Sequence, residues 1–331
     1  MSEPRLLIGD IGGTNARFAL ASPDGPGYER VLALQCADFE TAELAIAAYL
    51  EQTGTTQPAV ICLAAAGPIV DHKVRFTNNH WTLESAALAE SFQSAQVCLM
   101  NDFEAIACSL PFLRAEEVTR IGSPEPRLQG REQFNVAVLG PGTGLGCAGL
   151  IGRGGDIYPV VGEGSHVGFA PENPLQLEVL KLLRERFERV SDERLLSGPG
   201  LENIYWAVRG IHGERGRRTN AAEIFERALA NSDRFAAEAL QLFFEALGQV
   251  AGNLALMLGA YDGVYIAGGI VTRYPDLLKA SSFRAGFENK GRHRSLMETI
   301  PTLLVLHPQA GLLGASYRAG RMLQGLRQRR A

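Results

Sequence analysis

The sequence has no Cys-x-x-C pair and no lysine-bearing phosphate loop of the Walker type. Its five cysteines (Cys36, Cys62, Cys98, Cys108, Cys147) are an odd number set mostly among apolar neighbours. A disulfide scaffold is excluded; buried free thiols in a reducing compartment are expected. A long uninterrupted apolar run is missing too. The opening segment is broken by Asp10 and Arg17, and the uncharged stretches Asn135–Gly152 and Thr299–Tyr317 are punctuated by glycine or proline. Neither a signal peptide nor a membrane-spanning helix is therefore expected. Nor does one sign of charge dominate: 36 acidic against 32 basic residues leave a net −4, which argues against a polycationic nucleic-acid binder. With 46% hydrophobic and 21% charged residues, the 331-residue chain is about two domains long and can bury a sizeable core.

What the chain has in excess is glycine, 37 residues, and the clustering matters more than the number. Three clusters follow short apolar runs: Leu6-Leu7-Ile8 before Gly9, Val136-Ala137-Val138-Leu139 before Gly140, and Val264-Tyr265-Ile266-Ala267 before Gly268. Each reads as a tight turn at a strand end. The first two resemble each other, since LLIGDIGGTNARFAL and VAVLGPGTGLGCAGL both run strand, turn ending in Gly-Thr, strand. Gly13 and Gly142 lie 129 residues apart, too far for a solenoid period, so one fold used twice is expected, each half opened by a hairpin.

Behind the first hairpin, a helix over Thr41–Gln52, strands over Ala59–Gly67 and Gln96–Asp102 and a helix from Phe103 to Leu110 alternate, which calls for an α/β fold with a largely parallel sheet. The second half is helix-rich, with helical spacing over Leu175–Arg189, Ala221–Ala230 and Asp233–Leu258. The closing segment Gly311–Arg330 also has helical spacing and is expected to pack back on the first domain. Proline at Leu110-Pro111 marks the boundary, giving a small α/β domain of residues 1–111 plus 310–331 and a large α/β domain of residues 112–309.

Four constellations carry chemistry. In Gly9-Asp10-Ile11-Gly12-Gly13-Thr14-Asn15 a carboxylate stands at a strand end before a turn whose backbone N–H groups can cradle phosphate while Asp10 faces its magnesium; an ordinary glycine hairpin reads the same way. Gly140-Pro141-Gly142-Thr143-Gly144-Leu145-Gly146 is a second such loop. Within it Gly144 to Gly149 matches G-x-G-x-x-G, but that fingerprint must open a helix, and Cys147 to Ile151 look like strand. Asn101-Asp102, at the end of a strand and the start of a helix, can point a carboxylate into a ligand crevice or simply cap the helix. Glu163, His166 and Glu193, in glycine-flanked loops, suit the mixed donor and acceptor character of sugar hydroxyls, though each alone also reads as a solvated loop charge or a capping histidine.

Taken together, GDIGGTNARFAL, LMNDF, GPGTGLG, GEGSHVGFAP, ERLLSGPGL, IAGGIV and HPQAGLLGA resemble bacterial glucokinases of the hexokinase-like, actin-like superfamily, in order from Gly9 to about Gly314. The resemblance implies a two-domain actin-like (ribonuclease H-like) ATPase fold with an interdomain cleft, and a cytoplasmic enzyme of glycolysis that phosphorylates glucose at its 6-hydroxyl with ATP and Mg2+. It implies Asp102 as general base; Asn101, Asp102, Glu163, His166 and Glu193 on the sugar; and Gly9, Asp10, Ile11, Gly12, Gly13, Thr14 and Asn15 in the first phosphate loop. Gly140, Gly142, Thr143 and Gly144 match the second loop, Gly268 and Gly269 the adenosine contact, and Asp10 the magnesium, directly or through water.

Zinc is not expected, because no cysteine cluster follows His166. Glucose and ATP are the expected partners, without nucleic acid or membrane, and a homodimer is among the assemblies allowed. The arginine-rich end (Arg318, Arg321, Arg327, Arg329, Arg330) reads as a solvated helix terminus. Two other readings stay open: a kinase for another hexose, and a sugar-sensing regulator on the same fold. Such regulators carry a DNA-binding helix-turn-helix ahead of the first loop, for which the eight residues before Gly9 leave no room.

Overall fold

Apolar runs as short as Leu6-Leu7-Ile8 bury their backbone only by pairing it, and here they pair as two sheets. The computed structural model describes residues 5–55, 57–76, 78–93, 96–214 and 217–330, the side chain of Arg330 excepted. These form two compact units, one comprising the described residues of Met1–Arg114, Ile157–Val161 and His307–Ala331, the other Ala115–Asp156 and Gly162–Leu306. The sequence division places 112–114, 157–161 and 307–309 in the other unit.

In the first unit β1 (Leu6–Ile11) turns antiparallel onto β2 (Asn15–Ala21), and β3 (Tyr28–Gln35) extends the hairpin. β4 (Val60–Ala65), the hairpin of β5 (Lys73–Arg75) and β6 (Thr82–Glu84), and β7 (Gln96–Asn101) follow. The sheet order is β3-β2-β1-β4-β7, with β1, β4 and β7 parallel. α1 (Ala42–Gln52) starts where the Thr41 hydroxyl accepts from the Leu44 amide at 3.3 Å, and it buries Ala45, Ile46 and Tyr49 in the core beside Phe18. α2 (Ser85–Phe92) precedes β7, and α3 (Asp102–Ser109) leaves it.

In the second unit β8 (Val118–Ile121), β9 (Phe134–Pro141) and β10 (Leu145–Arg153) come first; β11 (Asp156–Val161) has residues 157–161 in the first unit. Four helices follow, α4 (Pro174–Arg186), α5 (Gly198–Ile211), α6 (Ala221–Leu229) and α7 (Arg234–Leu258). Each begins behind a residue whose side chain accepts from its first turn: Asn173, Ser197, Asn220 and Asp233. β12 (Gly263–Ile266), α8 (Pro275–Ala280), α9 (Phe283–Glu288), α10 (Arg294–Met297) and β13 (Thr302–Val305) complete it. The strands stand in the order β10-β9-β12-β13-β8, with β9, β12 and β13 parallel.

Each unit thus opens its sheet with an antiparallel hairpin joined to parallel strands, the duplication seen in the sequence. α11 (Ala310–Arg330) returns to pack on α3, β1 and β4 of the first unit. The β5/β6 hairpin, α2 and α5 were not anticipated. The Gly-Pro-Gly run that opens α5 reads as loop, yet proline in a first turn gives up no hydrogen bond the helix needs. No helix among the described residues is long and apolar enough to cross a membrane.

Candidate active site

The first unit gathers its candidates at one sheet edge. Asp10 pairs in register with Ala64, and Ala65 with Asn101, so Asp10 and Asn101 end strands two places apart, about 10 Å across the sheet. That is the carboxyl edge of three parallel strands, where ligands bind in open α/β sheets. Gly9 and Ile11 lie within β1, Ile11 fully buried, while Gly12, Gly13 and Thr14 make the turn, closed by Gly12 donating to the Asn15 carbonyl at 3.0 Å. The Gly13 and Thr14 amides have no partner among the described residues and are left for a ligand. Burial raises the Asp10 carboxyl above its ordinary range, outweighing the opposing pull of Arg17 across the hairpin.

At β7 the cap falls on Asn101. Its Oδ1 accepts from the Phe103 and Glu104 amides at 2.9 and 3.3 Å, and the Glu104 carboxylate accepts in return from the Asn101 amide at 3.3 Å. Asn101 also donates to the Gly67 carbonyl at 3.3 Å. Asp102 is the first helical residue, with one carboxylate oxygen accepting from the Phe103 amide at 2.9 Å.

The second unit clamps its turn from several sides. Gly142 donates to the Gly144 carbonyl at 2.7 Å, and the first amide of α5, Gly198, donates to the Gly142 carbonyl at 2.9 Å. The Glu193 carboxylate accepts from the Leu145 amide at 3.0 Å and comes so near Gly144 that a Cβ there would stand 2.5 Å from it. The Thr143 and Gly144 amides have no partner among the described residues. Gly140 lies in β9, paired with Gly146, and the strand β10 after the turn excludes the dinucleotide fingerprint. Gly268, with φ of +96°, sits where any Cβ would strike the Pro141 carbonyl; Gly269 faces open space.

Glu163 and His166 share one 3-10 turn, their carboxylate and imidazole 3.9 Å apart and both exposed. Pairing of Asp192 with Val167 and Phe169 with Val190 ties this loop to the one bearing Glu193, so the three proposed sugar residues lie on joined loops. Asp192, buried beside them, was not anticipated; burial alone pushes its carboxyl up to about 7. Nor were Asn78, Asn79 and His80, which with Gly13 and Thr14 line a cavity of about 330 Å3 at the first turn, Asn79 donating to the Gly12 carbonyl at 3.2 Å. The polar run Asn78-Asn79-His80 ahead of buried Trp81 was the available signal.

A family model described as Glucokinase matches residues 7–322. The chain belongs to the glucokinase family. A glucokinase of Marinobacter nauticus is 42% identical over 321 residues, covering 96% of this chain and 98% of that one. One of Hahella chejuensis is 40% identical over 310 residues, covering 94% and 95%. Among solved structures, glucokinase from an Antarctic psychrotroph superposes with a TM-score of 0.87 at 32% identity, covering 97% of this chain and 100% of that one. A ROK-family glucokinase from Streptomyces griseus, solved with glucose and AMPPNP, shares the fold at a TM-score of 0.63 and 20% identity, covering 96% and 99%. The fold is the two-unit α/β arrangement of the actin-like sugar kinases, and the chain is an enzyme of the glucokinase class, whose reaction is ATP-dependent phosphorylation of glucose.

Proposed function

We propose that Asp102 is the general base of this reaction, taking the proton of the glucose 6-hydroxyl as that oxygen attacks the γ-phosphorus and the bond to ADP breaks. The observation that carries this is that Asn101, not Asp102, caps α3: the helix does not need Asp102 as its cap, yet sets its carboxylate at the sheet's carboxyl edge. Asn101, Glu163, His166 and Glu193 hold the other hydroxyls; Glu193 spends one oxygen on Leu145 and keeps the second for sugar. The amides of Gly13 and Thr14, and of Thr143 and Gly144, receive the phosphates, while Gly268 and Gly269 face the adenosine.

Among the described residues no three His, Cys, Asp or Glu side chains stand close enough to hold a metal ion by themselves. Magnesium does not require that, since it keeps waters and shares the phosphates with one or two carboxylates. Asp10 fits as that carboxylate, a hard oxygen donor at a strand end whose burial favours a nearby cation. Magnesium, when bound with ATP, neutralises charge on the phosphates. The functional domains are residues 1–111 with 310–331 and residues 112–309, and the enzyme works in glycolysis in the cytoplasm, in keeping with five free thiols.

The test is ADP release coupled to a reporter enzyme, with glucose, mannose, galactose and fructose at several concentrations. The highest kcat/KM is expected for glucose, with dependence on Mg2+. A higher value for another hexose would move the substrate, and saturable glucose binding without ADP release would make the chain a sensor.

A further inference from the structure

The second unit holds a cavity of about 1000 Å3 on its helical side, lined from α4, α5 and the segments that follow them. It contains none of the residues of the phosphate loops or of the proposed sugar site. Its volume is that of a small-molecule site. Five of the described arginines line it, and three are already paired: Arg209 with Glu214 at 3.4 Å, Arg218 with Glu202 at 3.1 Å and Arg217 with Glu223 at 3.6 Å. The guanidinium groups of the other two, Arg186 and Arg194, have no carboxylate or hydrogen-bond partner among the described residues; Glu185, which also lines the cavity, pairs with neither.

Both unpaired guanidinium groups are braced on aromatic rings. Arg194 lies 4.3 Å from the centre of Phe187, and Arg186 lies 5.6 Å from that same ring and 4.5 Å from Trp206. Contact with the rings restrains the guanidinium groups while leaving N–H edges available, and it brings two like charges to one ring with no counter-charge among the described residues. Trp206 is 39% exposed, an unusual exposure for so large a ring, and it lines the cavity.

We propose that this cavity binds the phosphate group of a small phosphorylated compound between Arg186 and Arg194, separately from the catalytic nucleotide. Arginine forks match phosphate oxygens in pairs, and one dianion would answer both unpaired charges. The exposed face of Trp206 offers a surface for an organic body attached to that phosphate.

The experiment uses the full chain with glucose and AMPPNP saturating, so that the catalytic phosphate contacts are filled, and titrates pyrophosphate in one arm and AMP in another by calorimetry and tryptophan fluorescence. A saturable event is expected for at least one probe, weakened about tenfold or more by Arg186→Gln or Arg194→Gln, both exposed positions whose exchange leaves the core intact. Tighter AMP would identify a phosphate with an aromatic body as the ligand; equal affinities would identify the phosphate group alone. No saturable binding with AMPPNP present, or binding equally tight in the double variant Arg186→Gln/Arg194→Gln, would overturn the site.

Discussion

The β1/β2 hairpin closes with Gly12 donating to Asn15 and the β9/β10 hairpin with Gly142 donating to Gly144, yet what surrounds the two turns differs. The first carries its own charge in Asp10 and keeps a cavity of about 330 Å3 beside Gly13 and Thr14. The second carries no charge; it is held by Glu193 on Leu145, by Gly198 on the Gly142 carbonyl and by Gly268 against Pro141. Both turns are braced, the first by Asn79 on the Gly12 carbonyl and Cys36 on the Thr14 carbonyl, but the duplicated backbone carries its own carboxylate in one unit only. Damage to the braces of the second turn should show in nucleotide affinity.

The largest expected effect on nucleotide binding comes from Gly268→Val. A branched side chain at φ +96° is strained and collides with the Pro141 backbone, so AMPPNP affinity should fall by about a hundredfold or more, with a lower melting temperature. Gly269→Ala, into open space, should stay within a few-fold of the wild type in the same titration. Equal losses at the two positions would mean that contact with Pro141 is not what shapes the turn.

Next in size are Glu163→Ala and Glu193→Ala. On the proposed assignment each removes a charged acceptor for sugar hydroxyls, costing about 1.5–3 kcal/mol, or roughly ten- to a hundredfold in glucose affinity. Only Glu193 also holds Leu145, so only Glu193→Ala should weaken AMPPNP as well. If both variants left nucleotide affinity alone, Glu193 would be a sugar residue and not a brace.

The smallest effect is one of pH at Asp192. Its carboxyl titrates near 3.8 when unfolded and about 7 in the buried site, so its contribution to stability is complete below the first value and lost as pH rises through the second. Asp192→Asn does not titrate. Its stability relative to the wild type should therefore rise by about 2 kcal/mol between pH 5 and pH 6.5, read from denaturant midpoints. A constant difference across that window would mean that Asp192 is charged in the fold.

Both hairpins, β4 and β7 behind the first, β12 behind the second and the long α7 were legible in the sequence, because strand and helix periods show wherever one face is apolar over enough residues; the short β8 and β13 were not. α5 was not, since a Gly-Pro-Gly start hides a helix whose only opening signal is the Ser197 cap. The polar residues followed the same logic: Asp10 and Asp102 stand at strand ends that the pattern marks, and could be named. Asn78 and Asn79 meet Gly13 only through tertiary packing, and Glu193 reaches Leu145 from 48 positions away, contacts that leave no periodic trace. That Asn101, not Asp102, caps α3 needed the hydrogen bonds of the helix.

Central to the account is that Asp102 takes the proton, and Asp102→Asn tests it most directly, since the exchange keeps shape and the bond to the Phe103 amide while removing the base. With glucose and Mg-ATP saturating and the fold verified by thermal melting, kcat should fall by about 10²–10⁴-fold, with glucose affinity changed far less. A kcat above about a tenth of the wild-type value would contradict Asp102 as the base.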